Sequence, residues 1–195
     1  MSDGKTHIAI FASGSGSNAV KLIEHFKNHA HIEVRIIVCN NPKAGVIEKA
    51  NYHNVECTLI EKGRFFNEDG YVALLKEKKI DWIVLAGFLW KIPNTLIEAF
   101  PNKIVNIHPA LLPKYGGRGM YGIHVHEAVL AAKEDKSGIT IHLVDEIYDH
   151  GTIIFQAECK VESADNPESL AKKVQALEHE HFPKEIEKIV SPHVN

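Results

Sequence analysis

The feature that most constrains this chain is a repeated alternation of short apolar runs with turn residues and helical patterns. β-Branched or nearly all-apolar runs occupy residues 6–11, 34–39, 55–60, 81–86 and 103–107. Strands that are apolar without a break are buried on both faces, which calls for a parallel sheet with helices above and below. The intervening segments fit that demand. Ala19, Leu22, Ile23 and Phe26 share one helical stripe, 45–53 and 67–79 read as helices, and a short helix follows Pro93. Residues 108–121 hold glycines and prolines without periodicity and read as a long loop. A helix from Gly122 or Ile123 to Glu134, strands at 138–144 and 152–161, and a last helix over 167–189 complete the pattern. With no internal repeat or linker, the expectation is one α/β domain over 1–195, a Rossmann-like, mostly parallel seven-stranded sheet with helices on both faces.

Composition narrows the function classes. The formal charge of -3 gives no electrostatic footprint for nucleic acid or an anionic membrane. No apolar run approaches the ~20 residues of a membrane span, and residues 1–12 lack the features of a signal peptide. Cys39, Cys57 and Cys159 are far apart and without a CxxC spacing, which points to free thiols in a reducing cytoplasm. Histidine pairs such as His124 with His126 and His179 with His181 are two apart. On a helix such pairs face different sides, so no metal is expected.

Ligands of open α/β sheets bind beyond the carboxyl ends of the strands, and the polar residues of this chain gather there. Ser13-Gly14-Ser15-Gly16-Ser17-Asn18 follows the first strand and opens the first helix. Glycines there let backbone approach an anion at the helix N-terminus; equally, Ser17 and Asn18 are good N-caps. The dinucleotide fingerprint and the Walker lysine are absent, which favours a monophosphate. Asn106 and His108 end the fifth strand, two apart and therefore on one face. They read either as satisfied strand-end groups or as donors aimed at a developing oxyanion. Asp145, Glu146 and Asp149 follow His142 on a turn-rich loop, where Asp149 beside His150-Gly151 is the candidate partner for a histidine.

Taken together, these residues resemble the glycinamide ribonucleotide formyltransferase family. The matching strings are Ser13 to Asn18, Leu85-Ala86-Gly87-Phe88, Asn106-Ile107-His108-Pro109-Ala110-Leu111-Leu112-Pro113, Gly138-Ile139-Thr140-Ile141-His142, Asp149-x-Gly151 and Gln175-x-x-Glu178-His179. They are collinear over nearly the whole chain. The resemblance implies transfer of formyl from 10-formyltetrahydrofolate, a co-substrate, to the amine of glycinamide ribonucleotide, with no metal. It implies a catalytic set of Asn106, His108 and Asp149 supported by His142, with Asp149 keeping His108 charged. It assigns Gly14, Ser15, Gly16, Ser17 and Asn18 to the substrate phosphate and Glu178 to the ribonucleotide. Leu89, Trp90, Lys91 and Ile92, with Ile141, Val144, Asp145 and Glu146, would line the pterin pocket, and Arg64 would meet the folate tail or the substrate, or merely the surface.

Two departures from the family pattern stand out. Trp90, followed by Lys91, replaces the arginine that many members carry, and the loop 115–122 is longer than in many relatives. His126, or else His124, matches the histidine that follows that loop. Monomer and homodimer remain equally open. The competing readings are a relative acting on methionyl-tRNA, a nucleotide-linked amino sugar or water, and a noncatalytic phosphate-binding module. The tRNA enzyme and the deformylase would each be expected to carry an additional domain. The binding module gives no reason for Asn106, His108 and Asp149 together.

Overall fold

The computed structural model describes residues 4–191. In chain order the elements are β1 (Thr6–Ala12), α1 (Ser17–Phe26), β2 (Ile32–Cys39), α2 (Val46–Tyr52), β3 (Glu56–Leu59), α3 (Lys62–Asn67), α4 (Val72–Glu77) and β4 (Trp82–Leu85). They continue with α5 (Asn94–Ala99), β5 (Ile104–His108), α6 (Ile123–Ala131), β6 (Lys136–Leu143), β7 (Ile153–Lys160) and α7 (Pro167–Val190). The seven strands form one sheet in the order β3-β2-β1-β4-β5-β6-β7. Strands β1 to β5 pair in parallel, while β6 pairs antiparallel with both β5 and β7 and is the one reversed strand of the seven.

Alternation along the central strands divides the core in two. Ile8, Ile10 and Ala12 face a layer built by Leu22, Ile23 and Phe26 of α1, Ala50 of α2, and Leu170, Val174, Phe182 and Ile186 of α7. Ala9 and Phe11 face the other layer, where Phe65, Leu75 and Leu96 come from α3, α4 and α5. Burial on both faces is the reason these strands read as unbroken apolar runs. Because β1 lies between β2 and β4, the chain reverses its winding direction there and leaves a crevice at the strands' carboxyl ends.

The helix expected over 67–79 is shorter: α4 covers only Val72–Glu77, and a separate, unexpected α3 (Lys62–Asn67) precedes it across a break. Gly70 and Tyr71 take φ of 58° and 65°, outside the helical region. Asp69 holds that break: its carboxylate accepts from the N–H groups of Tyr71 (3.1 Å) and Ala73 (3.2 Å). A side chain offering the backbone such bonds competes with helix continuation. Helix α7 starts on a reciprocal cap, Ser169 N–H to Asn166 Oδ1 at 2.8 Å and Asn166 N–H to Ser169 Oγ at 3.0 Å.

Candidate active site

A cavity of about 730 Å³ opens at the crevice. Gly14 to Asn18 form one end of it, Asn106, His108 and Asp149 the other, and the loop from Gly117 to Gly122 and the α7 residues Val174, Gln175 and Glu178 close its sides. The turn at its first end is fixed from several directions. Ser13 N–H donates to the Gly87 carbonyl (3.0 Å), Leu89 N–H donates to Ser13 Oγ (2.9 Å), and Asn41 Nδ2 donates to the Ser13 carbonyl (3.2 Å).

Gly16, at φ 76°, is the residue that caps α1, and no side chain caps that helix. The N-cap role open to Ser17 and Asn18 is therefore not used: both lie inside the helix, whose first N–H groups have no intrahelical acceptor. Asn18 turns away to donate to Glu178 Oε2 at 2.8 Å. Burial pushes the Glu178 carboxyl above its ordinary range, and Asn18 offsets this only in part. A Cβ on Gly16 would sit 2.6 Å from Val46 Cγ2, whereas one on Gly14 would meet nothing within 4 Å.

At the other end Asp149 is a hub. Its Oδ2 accepts from Gly117 N–H at 2.8 Å and lies 3.6 Å from His108 Nδ1. Its Oδ1 lies 3.5 Å from Asn106 Nδ2 and 3.7 Å from His142 Nε2. Asp149 has φ 54°, a left-handed conformation that aspartate and asparagine tolerate better than most residues. Burial pushes its carboxyl up, but the neighbouring His142 and His108 rings and the Gly117 N–H together hold it below the usual range, so it is ionised.

His142 and Asn106 are cross-strand partners on β6 and β5. His142 Nδ1–H donates to the Leu143 carbonyl at 2.8 Å, which leaves Nε2 to accept from Asn106 Nδ2 at 3.0 Å. His108 Nε2–H donates to the Tyr115 carbonyl at 2.7 Å. The expectation that Asp149 keeps His108 charged meets a stronger opposing effect. Burial lowers the His108 pKa below its ordinary value, against the upward pull of Asp149 and of the Tyr115 carbonyl. A neutral His108 that donates Nε2–H to Tyr115 presents the Nδ1 lone pair toward Asp149.

The turn after His108 is pinned to the sheet through Thr140. Its hydroxyl donates to the Ala110 carbonyl (2.6 Å) and accepts from Leu112 N–H (3.0 Å) and Gln156 Nε2 (2.8 Å). Gly138 must lack a side chain, because a Cβ there would overlap the Ala157 carbonyl and crowd Leu111. These contacts give the Asn-Ile-His-Pro and Gly-Ile-Thr-Ile-His strings one shared structural purpose.

An apolar strand delivering an amide and a histidine to an ionised aspartate, opposite a glycine-bounded helix N-terminus, is the arrangement that comparison with known proteins then places. The formyl transferase profile matches residues 6–186. The chain belongs to the formyl transferase family. It is 40% identical over 192 residues to the chloroplastic phosphoribosylglycinamide formyltransferase of Arabidopsis thaliana, covering 92% of this chain and 66% of that protein. The chain spans 59% of the corresponding Vigna unguiculata protein. With the Bacillus subtilis phosphoribosylglycinamide formyltransferase it shares 33% identity over 187 residues, 93% of each chain. Among solved structures, phosphoribosylglycinamide formyltransferase from Bacillus halodurans aligns with a TM-score of 0.85 at 36% identity, covering 95% of this chain and 96% of that one. Glycinamide ribonucleotide transformylase 1 from Geobacillus kaustophilus aligns at 0.86 and 32% identity, covering 96% and 100%.

A second, narrower cavity of about 70 Å³ adjoins the first in this formyltransferase domain. Trp90, Lys91, Ile92, Val144 and Asp145 line it, and it shares Asn106 and Asp149 with the larger cavity. Trp90 packs against Phe65 and Phe66 with ring centroids 5.5 and 5.6 Å away, so the indole is a wall of the cavity. Asp145 shapes the loop above it, accepting from Ile147 N–H at 2.8 Å and pairing with His150 Nδ1 at 2.8 Å.

Three residues expected at the pterin pocket, Leu89, Ile141 and Glu146, do not line this narrower cavity, and neither does Arg64, for which the surface was one of the alternatives. Leu89 lines the larger cavity. Ile141 is fully buried in the α7 layer, because it alternates with His142 and so faces the opposite side of β6. Glu146 is exposed on the loop and lines neither cavity. Arg64 also lines neither; it pairs with Asp69 through two bonds of 3.0 and 3.3 Å and stacks over Tyr71 at 4.3 Å. Arg64→Ala is therefore expected to leave the thermal unfolding midpoint nearly unchanged, since an exposed pair of this kind contributes little; a large drop would show that the pair holds the turn between α3 and α4.

Several lining residues escaped the sequence reading. Gln175 was part of a matching string but received no role; it lines the cavity and donates to Ser17 Oγ at 3.2 Å. Arg118 and Tyr148 also line the cavity, and Tyr148 separates it from the narrower one. The Lys91 backbone N–H donates to the Tyr148 hydroxyl. Nothing in the local sequence distinguishes these residues from solvated loop positions. Of His124 and His126, only the second reaches the cavity.

Proposed function

We propose that this protein transfers the formyl group of 10-formyltetrahydrofolate to the amine of glycinamide ribonucleotide. The observation that carries the reading is the convergence of Asn106, His108 and Asp149 at one end of a cavity whose other end is the Gly14–Asn18 turn. The ribonucleotide phosphate sits at the N-terminus of α1, against backbone N–H groups and the positive end of the helix dipole. Glu178 and Gln175 lie beside the sugar. The folate donor enters past Tyr148 into the narrower cavity, where backbone groups between Trp90 and Ile92 meet the edge of its ring.

The chemistry follows from the charges that develop. The neutral amine attacks the formyl carbon, and the formyl oxygen gains negative charge as its π bond opens. Asn106 Nδ2–H, and His108 once its Nδ1 takes up a proton, are the side-chain donors to that oxygen. A well-placed donor of this type contributes roughly 3–4 kcal/mol to the barrier reduction. A developing anion beside His108 raises the proton affinity of an imidazole that burial had kept neutral. Ionised Asp149 accepts a proton from the ammonium that forms, directly or through water, and the folate N10 takes one up as the C–N bond breaks.

The acceptor is tested by offering purified protein 10-formyltetrahydrofolate with glycinamide ribonucleotide or with a nucleotide-linked amino sugar. Turnover is expected with the first alone; folded protein active only on the second would overturn the assignment. The phosphate end has a separate test. Gly14→Val projects into open space, so it leaves the fold unaltered while crowding the anion. Its ribonucleotide KM is expected to rise at least about tenfold, a loss of one charge-assisted hydrogen bond, with the folate KM unchanged. Equal rises in both would contradict phosphate binding at this turn.

A further inference from the structure

His126 occupies the first turn of α6 and, at 4% exposure, is almost wholly buried, yet its ring lines the larger cavity. Its Nδ1 is sealed from solvent and has no hydrogen-bond partner. Burial is the chief cause that lowers its pKa, so the ring is neutral. A neutral imidazole carries one N–H and one lone pair. An orphaned buried N–H is rarer and costlier than an under-used acceptor. The proton therefore belongs on Nε2, and the buried Nδ1 keeps the lone pair.

We propose that His126 is a substrate-binding residue whose Nε2–H points into the cavity and donates to a neutral carbonyl oxygen of the acceptor substrate. Resting on the function given above, that oxygen is the glycinamide carbonyl, the acceptor adjacent to the reacting amine. A neutral donor suits this task. It orients the amide without drawing the formyl oxygen away from Asn106 and His108, and without a charge that would repel a protonated His108. Charged Arg118 or a second imidazolium at this place would compete for the developing anion.

The tautomer is read directly from nitrogen-15 spectra of histidine-labelled protein. His126 is expected as neutral Nε2–H, with Nε2 shifting when ribonucleotide is added. Two variants separate donation from packing. His126→Phe keeps the ring volume without a donor, and the expected rise in ribonucleotide KM is about tenfold or more, with the folate KM unchanged. His126→Gln carries its amide N–H to nearly the same point and is expected to restore most of that loss. An Nδ1–H tautomer, or a Phe variant with an unchanged ribonucleotide KM, would overturn the proposal. The spectrum of free protein needs no substrate, so it fails independently of the formyl-transfer reading. A protein with the Nε2–H form but no activity on glycinamide ribonucleotide would instead remove the assigned acceptor.

Discussion

Asp149→Asn is expected to lower kcat by about three orders of magnitude, the combined scale of a lost proton acceptor and a lost electrostatic partner, with the fold retained. The substitution is nearly isosteric. Asparagine tolerates the φ of 54° at this position, and its carbonyl can keep the bond from Gly117 N–H. What disappears is the negative charge 3.6 Å from His108 Nδ1 and 3.5 Å from Asn106 Nδ2. Without it, nothing ionised at this end of the cavity takes the ammonium proton. The same charge affects stability. The folded pKa of Asp149 lies below its ordinary value, so ionisation favours the folded state above the unfolded pKa, and that gain is lost as pH falls through the folded value. The Asn variant should therefore show a shallower loss of stability in acid. Steady-state kinetics with thermal unfolding checks both parts, and a kcat within tenfold of wild type would contradict the role.

Gly151→Ala is expected to be the most damaging small change near the site. A Cβ on this buried glycine would overlap the Leu143 carbonyl oxygen and crowd the Asp145 N–H at 3.3 Å. Neither is a flexible side-chain end that can swing aside. Leu143 N–H also donates to the Thr152 carbonyl at 2.9 Å, so the methyl group forces apart the end of the β6–β7 pairing. The expected destabilisation is about 3 kcal/mol, or a Tm lower by ~6–12 °C for a domain of this size. Because Asp149 sits two residues earlier, kcat should fall with it. A variant with unchanged Tm and kcat would show that the backbone accommodates the methyl, contrary to this geometry.

The sheet was legible in the sequence because its strands are buried on both faces, and each apolar run corresponds to a strand. The break between α3 and α4 was less so. Its signal, Asp69-Gly70, lies inside an otherwise helical pattern, and its effect depends on bonds from Asp69 to Tyr71 and Ala73. Asn106 and His108 stand out as polar residues at a strand end and Asp149 as a loop carboxylate beside His150-Gly151, and the structure brings them together. Ile141 was assigned to the pocket by position in a string, although strand alternation already placed it opposite His142. Arg64 was unreadable for another reason: its partner, Asp69, is an exposed neighbour that only the fold brings into bidentate contact. His126 depended on helical phase, since one turn of α6 decides between it and His124. The order of strands, with β4 beside β1, is set by long-range packing that no local pattern encodes.

The central claim concerns the path of one carbon atom, and the most direct measurement follows it. With carbon-13 in the formyl group of 10-formyltetrahydrofolate, the label is expected to leave N10 and appear on the amine of glycinamide ribonucleotide, one equivalent per tetrahydrofolate released. The Asp149→Asn protein should leave it on the folate over the same interval. Label accumulating as free formate, or moving equally well in the Asp149→Asn protein, would contradict the account.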